Sequence, residues 1–138
     1  MLSLSRLASG SLIIALLVTG IGLSGCAGAG QSQSSDLNLT VNEMMTRLRQ
    51  EGMNVSPVRN LSPNFAQDGI LVDTEYGDRV RIFEFQNSAS AAMTVSRKSS
   101  SAGSAPFYYQ SGNIMAVHLG SDSRVSKVLE SILGSKKR

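Results

Sequence analysis

The chain has 138 residues, a formal net charge of +3, no tryptophan, one histidine and one cysteine. A lone cysteine excludes an internal disulfide, a Cys-x-x-Cys redox pair and a thiolate metal cluster, and a lone histidine excludes a multi-histidine metal centre. The positive excess comes from Arg6 and from Lys136, Lys137 and Arg138; without them the charges nearly balance, so the basic face that a nucleic-acid binder needs is not expected.

Residues 1–25 carry the three parts of a secretory signal. Arg6 supplies positive charge, Leu12-Ile13-Ile14-Ala15-Leu16-Leu17-Val18 is the apolar segment, and small Ser24 and Gly25 end it. The apolar stretch from Ser11 runs to about fourteen residues, below the roughly twenty that span a bilayer as a helix. It closes on Leu23-Ser24-Gly25-Cys26. This tetrapeptide resembles the lipobox of bacterial lipoprotein signal peptides. The resemblance implies a diacylglyceryl group on the Cys26 thiol, cleavage just before Cys26, and two or three acyl chains in all. One chain alone binds membranes only marginally, so the extra chains imply stable anchoring. A thioether also accounts for an odd cysteine in an exported protein, where a free thiol is a liability. An ordinary cleaved leader and an uncleaved anchor are the alternatives. Ala27, where Asp would favour inner-membrane retention, resembles the export-permitting type. The expected location is therefore extracytoplasmic and membrane-anchored. That means the periplasmic face of the outer membrane in a two-membrane host, and the outer face of the cytoplasmic membrane otherwise.

Residues 26–36 are Cys26 followed by Ala, Gly, Gln and Ser, with nothing to bury, and read as a flexible tether. A coil of about ten residues reaches roughly 15–20 Å, which keeps the domain close to the membrane. Residues 37–135 are about 100 residues, enough for one core without disulfides. Residues 136–138 form a basic tail, solvated or touching anionic headgroups.

Thr40-Val41-Asn42-Glu43 matches a capping box, with Leu39 and Met44 placed as its hydrophobic staple. Val41, Met44, Met45 and Leu48 follow helical spacing, and Gly52 suits the position just past the helix end. Met53 to Val58 is a short extended segment in which Pro57 suggests an edge, and residues 59–68 read as a loop. Ile70–Glu75 and Arg79–Phe85 form a hairpin around Gly77. A two-residue loop at Gly77-Asp78 would set Val80 against Glu75 and Ile82 against Asp73. A three-residue loop, Glu75-Tyr76-Gly77, instead sets Val72 against Val80, Ile70 against Ile82 and Asp73 against Arg79. Apolar then meets apolar and opposite charges meet, so the three-residue loop is expected. Phe83 and Phe85 fall on the other face, which must also be covered in part.

Asn87 or Ser88 caps a second helix to about Lys98, and residues 99–105 read as a flexible loop. Phe107-Tyr108-Tyr109, a turn at Gln110-Ser111-Gly112, and Asn113 to Leu119 form a second hairpin, with Gly112 in the role of Gly77. Asp122 caps a third helix, with Val125, Val128, Leu129 and Ile132 as its stripe and Gly134 as its end. The expected fold is α+β: a single domain with an antiparallel sheet of two hairpins, four to five strands, about three helices mainly on one face, and the order α-β-β-α-β-β-α. Three elements carry a resemblance to a recurring small bacterial lipoprotein domain without assigned activity. They are the Val80-to-Phe85 strand, the hairpin from Phe107 to Gly120, and the last helix ending Ile132-Leu133-Gly134. The resemblance supplies no catalytic residues.

No cofactor or metal site is expected. His118, between Val117 and Leu119, reads as a half-exposed strand residue, and becomes a candidate base only if Asp, Glu or Ser stands beside it. Asp73, Glu75, Asp78 and Glu84 interleave with Arg79 and Arg81, as ion pairs on a wet sheet face would. No Gly-x-Ser-x-Gly elbow and no phosphate-cradling Gly-rich loop occurs. Phe107-Tyr108-Tyr109 is the best recognition candidate, because aromatic residues are enriched where surfaces bind partners. Alternation sends Tyr108 to one face and Phe107 and Tyr109 to the other, and Pro106 hints at an edge open to β-augmentation. The partner-binding candidates are thus Phe107, Tyr108, Tyr109 and His118, and the lipidation site is Cys26. The sequence points first to a non-enzymatic, lipid-anchored interaction or ligand-binding domain with an unknown envelope protein or ligand as partner. A structural envelope lipoprotein and a small hydrolase are the alternatives.

Overall fold

The computed structural model describes residues 38–100 and 106–137, all within one compact unit. Cys26, the signal segment, the tether, Arg138 and part of the loop expected at 99–105 lie outside the described residues. The elements are α1 (Val41–Gln50), β1 (Val55–Leu61), β2 (Asp68–Thr74), β3 (Arg79–Glu84), α2 (Ser88–Ser99), β4 (Phe107–Ser111), β5 (Ile114–His118) and α3 (Ser123–Leu133). The fold is α+β, with one antiparallel sheet in the order β1-β2-β3-β5-β4.

Helix α1 begins as its sequence dictates. The Thr40 hydroxyl accepts from the Glu43 N–H at 3.2 Å, and Glu43 accepts the Thr40 N–H at 2.7 Å. The Thr40 N–H, together with the Thr40 hydroxyl 2.9 Å from the same oxygen, pulls the Glu43 carboxyl below its ordinary range. At the other end, Met53 N–H donates to the Leu48 carbonyl and Gly52 N–H to Arg49, with Gly52 at φ 85°. That is a Schellman ending, and its apolar pair, Leu48 and Met53, is fully buried. Asn87 caps α2 and Asp122 caps α3.

The first hairpin has the three-residue loop. Val72 pairs with Val80, Ile70 with Ile82 and Asp73 with Arg79. Gly77 sits at φ 88°, a backbone region that costs glycine nothing. Three expectations need correction. β1 runs on to Leu61 and β2 starts at Asp68, so only residues 62–67 connect them. Pro57 does mark the sheet edge, but the register shifts between Pro57 and Arg59, and this bulge lets the strand continue past a residue that cannot donate. The order therefore gains a strand, α-β-β-β-α-β-β-α. The second turn is a two-residue loop, Gly112-Asn113, because Ser111 pairs with Ile114. Gly112 opens that loop at φ 52°, whereas Gly77 closes its own.

Alternation splits the sheet into two apolar faces. Val72, Val80, Ile82, Ile114, Ala116 and Tyr109 point toward α1 and α3. Phe83, Phe85, Met115, Val117 and Tyr108 point the other way, where α2 brings Ala91 and Val95. Helix α2 packs mainly on β4 and β5. Among the described residues, no helix packs on the rest of that second face, over β1 and β2.

Asn113 fastens the chain leading into α1. Its Oδ1 accepts the Leu39 N–H at 2.8 Å, and its Nδ2 donates to the carbonyls of Leu39 at 2.9 Å and Phe85 at 3.2 Å, all buried. The Glu84 carboxylate accepts the Val41 N–H at 3.1 Å beside it. Asn113→Ala orphans the Leu39 amide and carbonyl, and each buried unpaired group costs about 1–3 kcal/mol. We expect the unfolding free energy in a urea titration to fall by roughly 2–4 kcal/mol; a change under about 0.5 kcal/mol would show that Leu39 finds other partners.

Candidate functional site

Two places gather functional side chains, one on each face of the sheet. The first is a buried polar chain. Strand parity puts His118 on the α1/α3 face, and it is fully buried rather than half exposed. Its Nε2 donates to Asp78 Oδ2 at 2.7 Å, and the Ser126 hydroxyl of α3 lies 3.4 Å from Nδ1. Asp78 Oδ2 also accepts the Asp122 N–H at 2.7 Å. One carboxylate thus joins the first hairpin, the end of β5 and the start of α3. A Cβ at Gly120 would overlap that carboxylate, so the chain passes it only as glycine.

Partial burial raises the Asp78 carboxyl, but the Asp122 N–H and the His118 ring together outweigh it and hold it below the ordinary range. Asp122, gripped by the Arg124 guanidinium and backbone N–H, is lowered to about 2. The Arg124 guanidinium also stacks 4.0 Å from the Tyr76 ring, so the hairpin turn and α3 are clamped twice. Tyr109 points into the same region. Its hydroxyl is buried with no partner in hydrogen-bonding geometry. Burial pushes it up against the opposing pull of the nearby Ser126 hydroxyl.

Asp78, His118 and Ser126 have the side chains of a hydrolytic relay, which the sequence alone did not bring together. The arrangement is closed. The ring has no exposed surface, and three clefts among the described residues are lined by other side chains. A nucleophile needs room for substrate and donors for an oxyanion. What the geometry does provide is a strut: a carboxylate that satisfies a buried ring and a helix N-terminus together.

The second place is an open groove of about 330 Å³ on the opposite face. Its floor is Phe83, Met115, Val117 and Tyr108, and its rim carries Arg59, Arg81 and Lys98. The row across the sheet reads Arg59, Leu71, Arg81, Val117, Tyr108, each paired with the next. Phe65 forms the outer lip, 42% exposed, meeting Phe83 edge-on at 5.2 Å. Lys98 Nζ stands 5.0 Å over the Phe65 ring. The Phe83 ring reaches this position by crossing Gly69, where a Cβ would come within 2.8 Å of it.

The four residues singled out for recognition are thus divided. Tyr108 belongs to the groove. Tyr109 and His118 are buried on the other face, and Phe107 lies partly buried beside them under Lys136, whose Nζ is 4.9 Å from its ring. Strand β4 is a sheet edge, but it is not open at Tyr108: Lys137 bridges to it and donates its N–H to the Tyr108 carbonyl at 2.7 Å. Lys137, though exposed, thus covers the edge at Tyr108 with its backbone. Of the four acidic residues, only Asp73 forms a surface ion pair, with Arg79 at 2.9 Å. Glu75 binds Asn54, Glu84 binds the start of α1, and Asp78 is the strut. Arg59, Phe65 and Arg81 escaped sequence reading. Arg81 shares its face with Phe83 by alternation, but the bulge at Val58 hides the parity of Arg59.

No family model matches the chain, and comparison with curated proteins and with solved structures finds no match.

Asp78 and Asp122 have folded pKa values below the ordinary carboxylate value of about 3.9, so the stability they add is complete above that value and is lost as pH falls through the lower folded values. Asp78→Asn should lower stability near neutral pH by roughly 1–3 kcal/mol. It should also flatten the acid limb below the ordinary carboxylate value of about 3.9. Denaturant titrations of both proteins across this range measure it, and an unchanged acid limb in the variant would remove Asp78 from its role.

Proposed function

We propose that the chain is a lipid-anchored binding domain of the bacterial cell envelope, without catalytic activity, that holds its ligand in the groove between Arg59, Arg81 and Tyr108. The observation that carries this reading is the contrast between the two faces. His118 is fully buried between the sheet and α3, with Asp78 and Ser126 only partly exposed, whereas on the other face the exposed Arg59 and Arg81 stand at the rim of a groove with an apolar lining. Concave apolar sites with a few convergent polar groups are the usual form of ligand pockets. Anchoring is supported by Leu23-Ser24-Gly25-Cys26 behind its short apolar segment. Ala27 favours the periplasmic face of an outer membrane in a two-membrane host, and the outer face of the cytoplasmic membrane otherwise. The partners are then the membrane through the lipid on Cys26, and an envelope ligand, not nucleic acid. A purely structural envelope lipoprotein would use a free sheet edge for self-assembly. Lys137 at β4 and the Pro57 bulge at β1 both work against that.

Two measurements test this. Cys26→Ser should abolish labelling by radioactive palmitate and leave the leader attached, and normal labelling would refute the anchor. For the groove, a photo-reactive benzophenone side chain in place of Phe65 should yield an adduct in living cells. The same group in place of Met93, 54% exposed on α2, serves as the control. Equal adduct formation at both positions would show that the groove holds nothing in particular.

A further inference from the structure

We infer that the groove's ligand is an anionic phospholipid of the membrane to which the domain is tethered, its phosphate held between Arg59 and Arg81 and its acyl chain laid on the Phe83–Met115–Val117–Tyr108 floor. This rests on the groove reading above and names its ligand. Arg59 and Arg81 lie on one row and one face, separated by the single strand carrying Leu71. Neighbouring strands are about 4.7–4.9 Å apart, so the two backbones are roughly 10 Å apart, within reach of two guanidinium groups closing on one anion. Both side chains are exposed, and neither meets a carboxylate among the described residues. Guanidinium groups are suited to multi-oxygen anions because their donors are fixed in a plane.

The rest of the groove does not suit a small hydrophilic anion. Beyond the arginines, its surface is mostly aromatic and aliphatic, closed on the outer side by Phe65. An anionic amphiphile matches a groove whose rim is cationic, at Arg59, Arg81 and Lys98, and whose lining is otherwise mostly apolar. Residues 26–36 set the source. On the anchoring proposed above, these eleven residues, read from their composition as a tether with a reach of roughly 15–20 Å, would keep the domain near headgroups and give lipid a high effective concentration, so that weak affinity suffices for occupancy.

The test uses the full mature lipoprotein, carrying the benzophenone in place of Phe65, in nanodiscs that mix phosphatidylglycerol with an excess of phosphatidylcholine. Intact mass reads the adduct. Phosphatidylglycerol should be captured well beyond its share of the lipid, and Arg59→Gln with Arg81→Gln should cut that capture at least tenfold while the far-UV spectrum and melting temperature stay put. Capture in proportion to lipid abundance, or capture that survives the double substitution, overturns the proposal. Full competition by inorganic phosphate overturns it too, since it makes the apolar floor irrelevant. An adduct in cells that proves to be a protein or a glycan overturns the lipid while leaving the groove reading intact. No preferential adduct at Phe65 in cells removes the groove reading itself.

Discussion

The pairing of β3 with β5 is the constraint on which the rest depends. It is the one pairing in the sheet between strands that are not consecutive in sequence, and it joins the two hairpins into one surface. Its register, Val80 with His118 and Ile82 with Ala116, decides which side chain of either hairpin goes to which face. A slip of one residue would turn every side chain over. The Asp78 carboxylate pins the end of this pairing. It reaches from the first hairpin to the ring of His118 and to the N–H of Asp122, the cap of α3, so register and helix placement are tied to one group. The fully buried His118 imidazole is costly without a partner, which makes the wrong register expensive as well as the right one favourable.

That register produces two unlike faces. One receives α1 and α3 and is closed. Among the described residues, the other receives only α2, mainly over β4 and β5. Helix α2 is rich in Ala and Ser, so it approaches the sheet closely and covers little width. The remaining strip holds the arginine row and the aromatic floor. Among the described residues neither Arg59 nor Arg81 forms an ion pair, and Asp73, one row away, is committed to Arg79. The sheet edges are dealt with separately. Pro57 and the bulge interrupt β1, and Lys137 occupies β4 at Tyr108. Both sheet edges are thus interrupted, and the concave patch lies apart from them on the second face.

Much of the fold was legible in the sequence because local rules determined it. The capping box at Thr40 and Glu43, the glycine past α1 and the choice between two turns for the first hairpin each had one physically consistent answer. What was not legible depended on contacts distant in sequence. Asp78 looked like one of several surface acids, because its partners lie 40 and 44 residues away. His118 looked half exposed, because a polar residue ending an apolar strand gives no sign that a carboxylate waits for it. The second turn was misread because Gly112 allows either loop length, and the burial of Asn113 by Leu39 and Phe85 decides between them. The groove was missed for a related reason: with residues 59–68 read as a loop, Arg59 had no face, and two arginines separated by a strand did not look like neighbours.

The central claim is that this domain meets its ligand with the arginine face and uses the histidine face only to hold itself together. Residue-resolved NMR of the full mature chain tests it most directly, comparing neutral bicelles with bicelles doped with anionic phospholipid. The account predicts shifts at Arg59, Arg81, Phe65 and Tyr108, and none beyond noise at His118, Ser126 and Tyr109. Shifts concentrated at His118 and Ser126, with the arginine row unmoved, would contradict it.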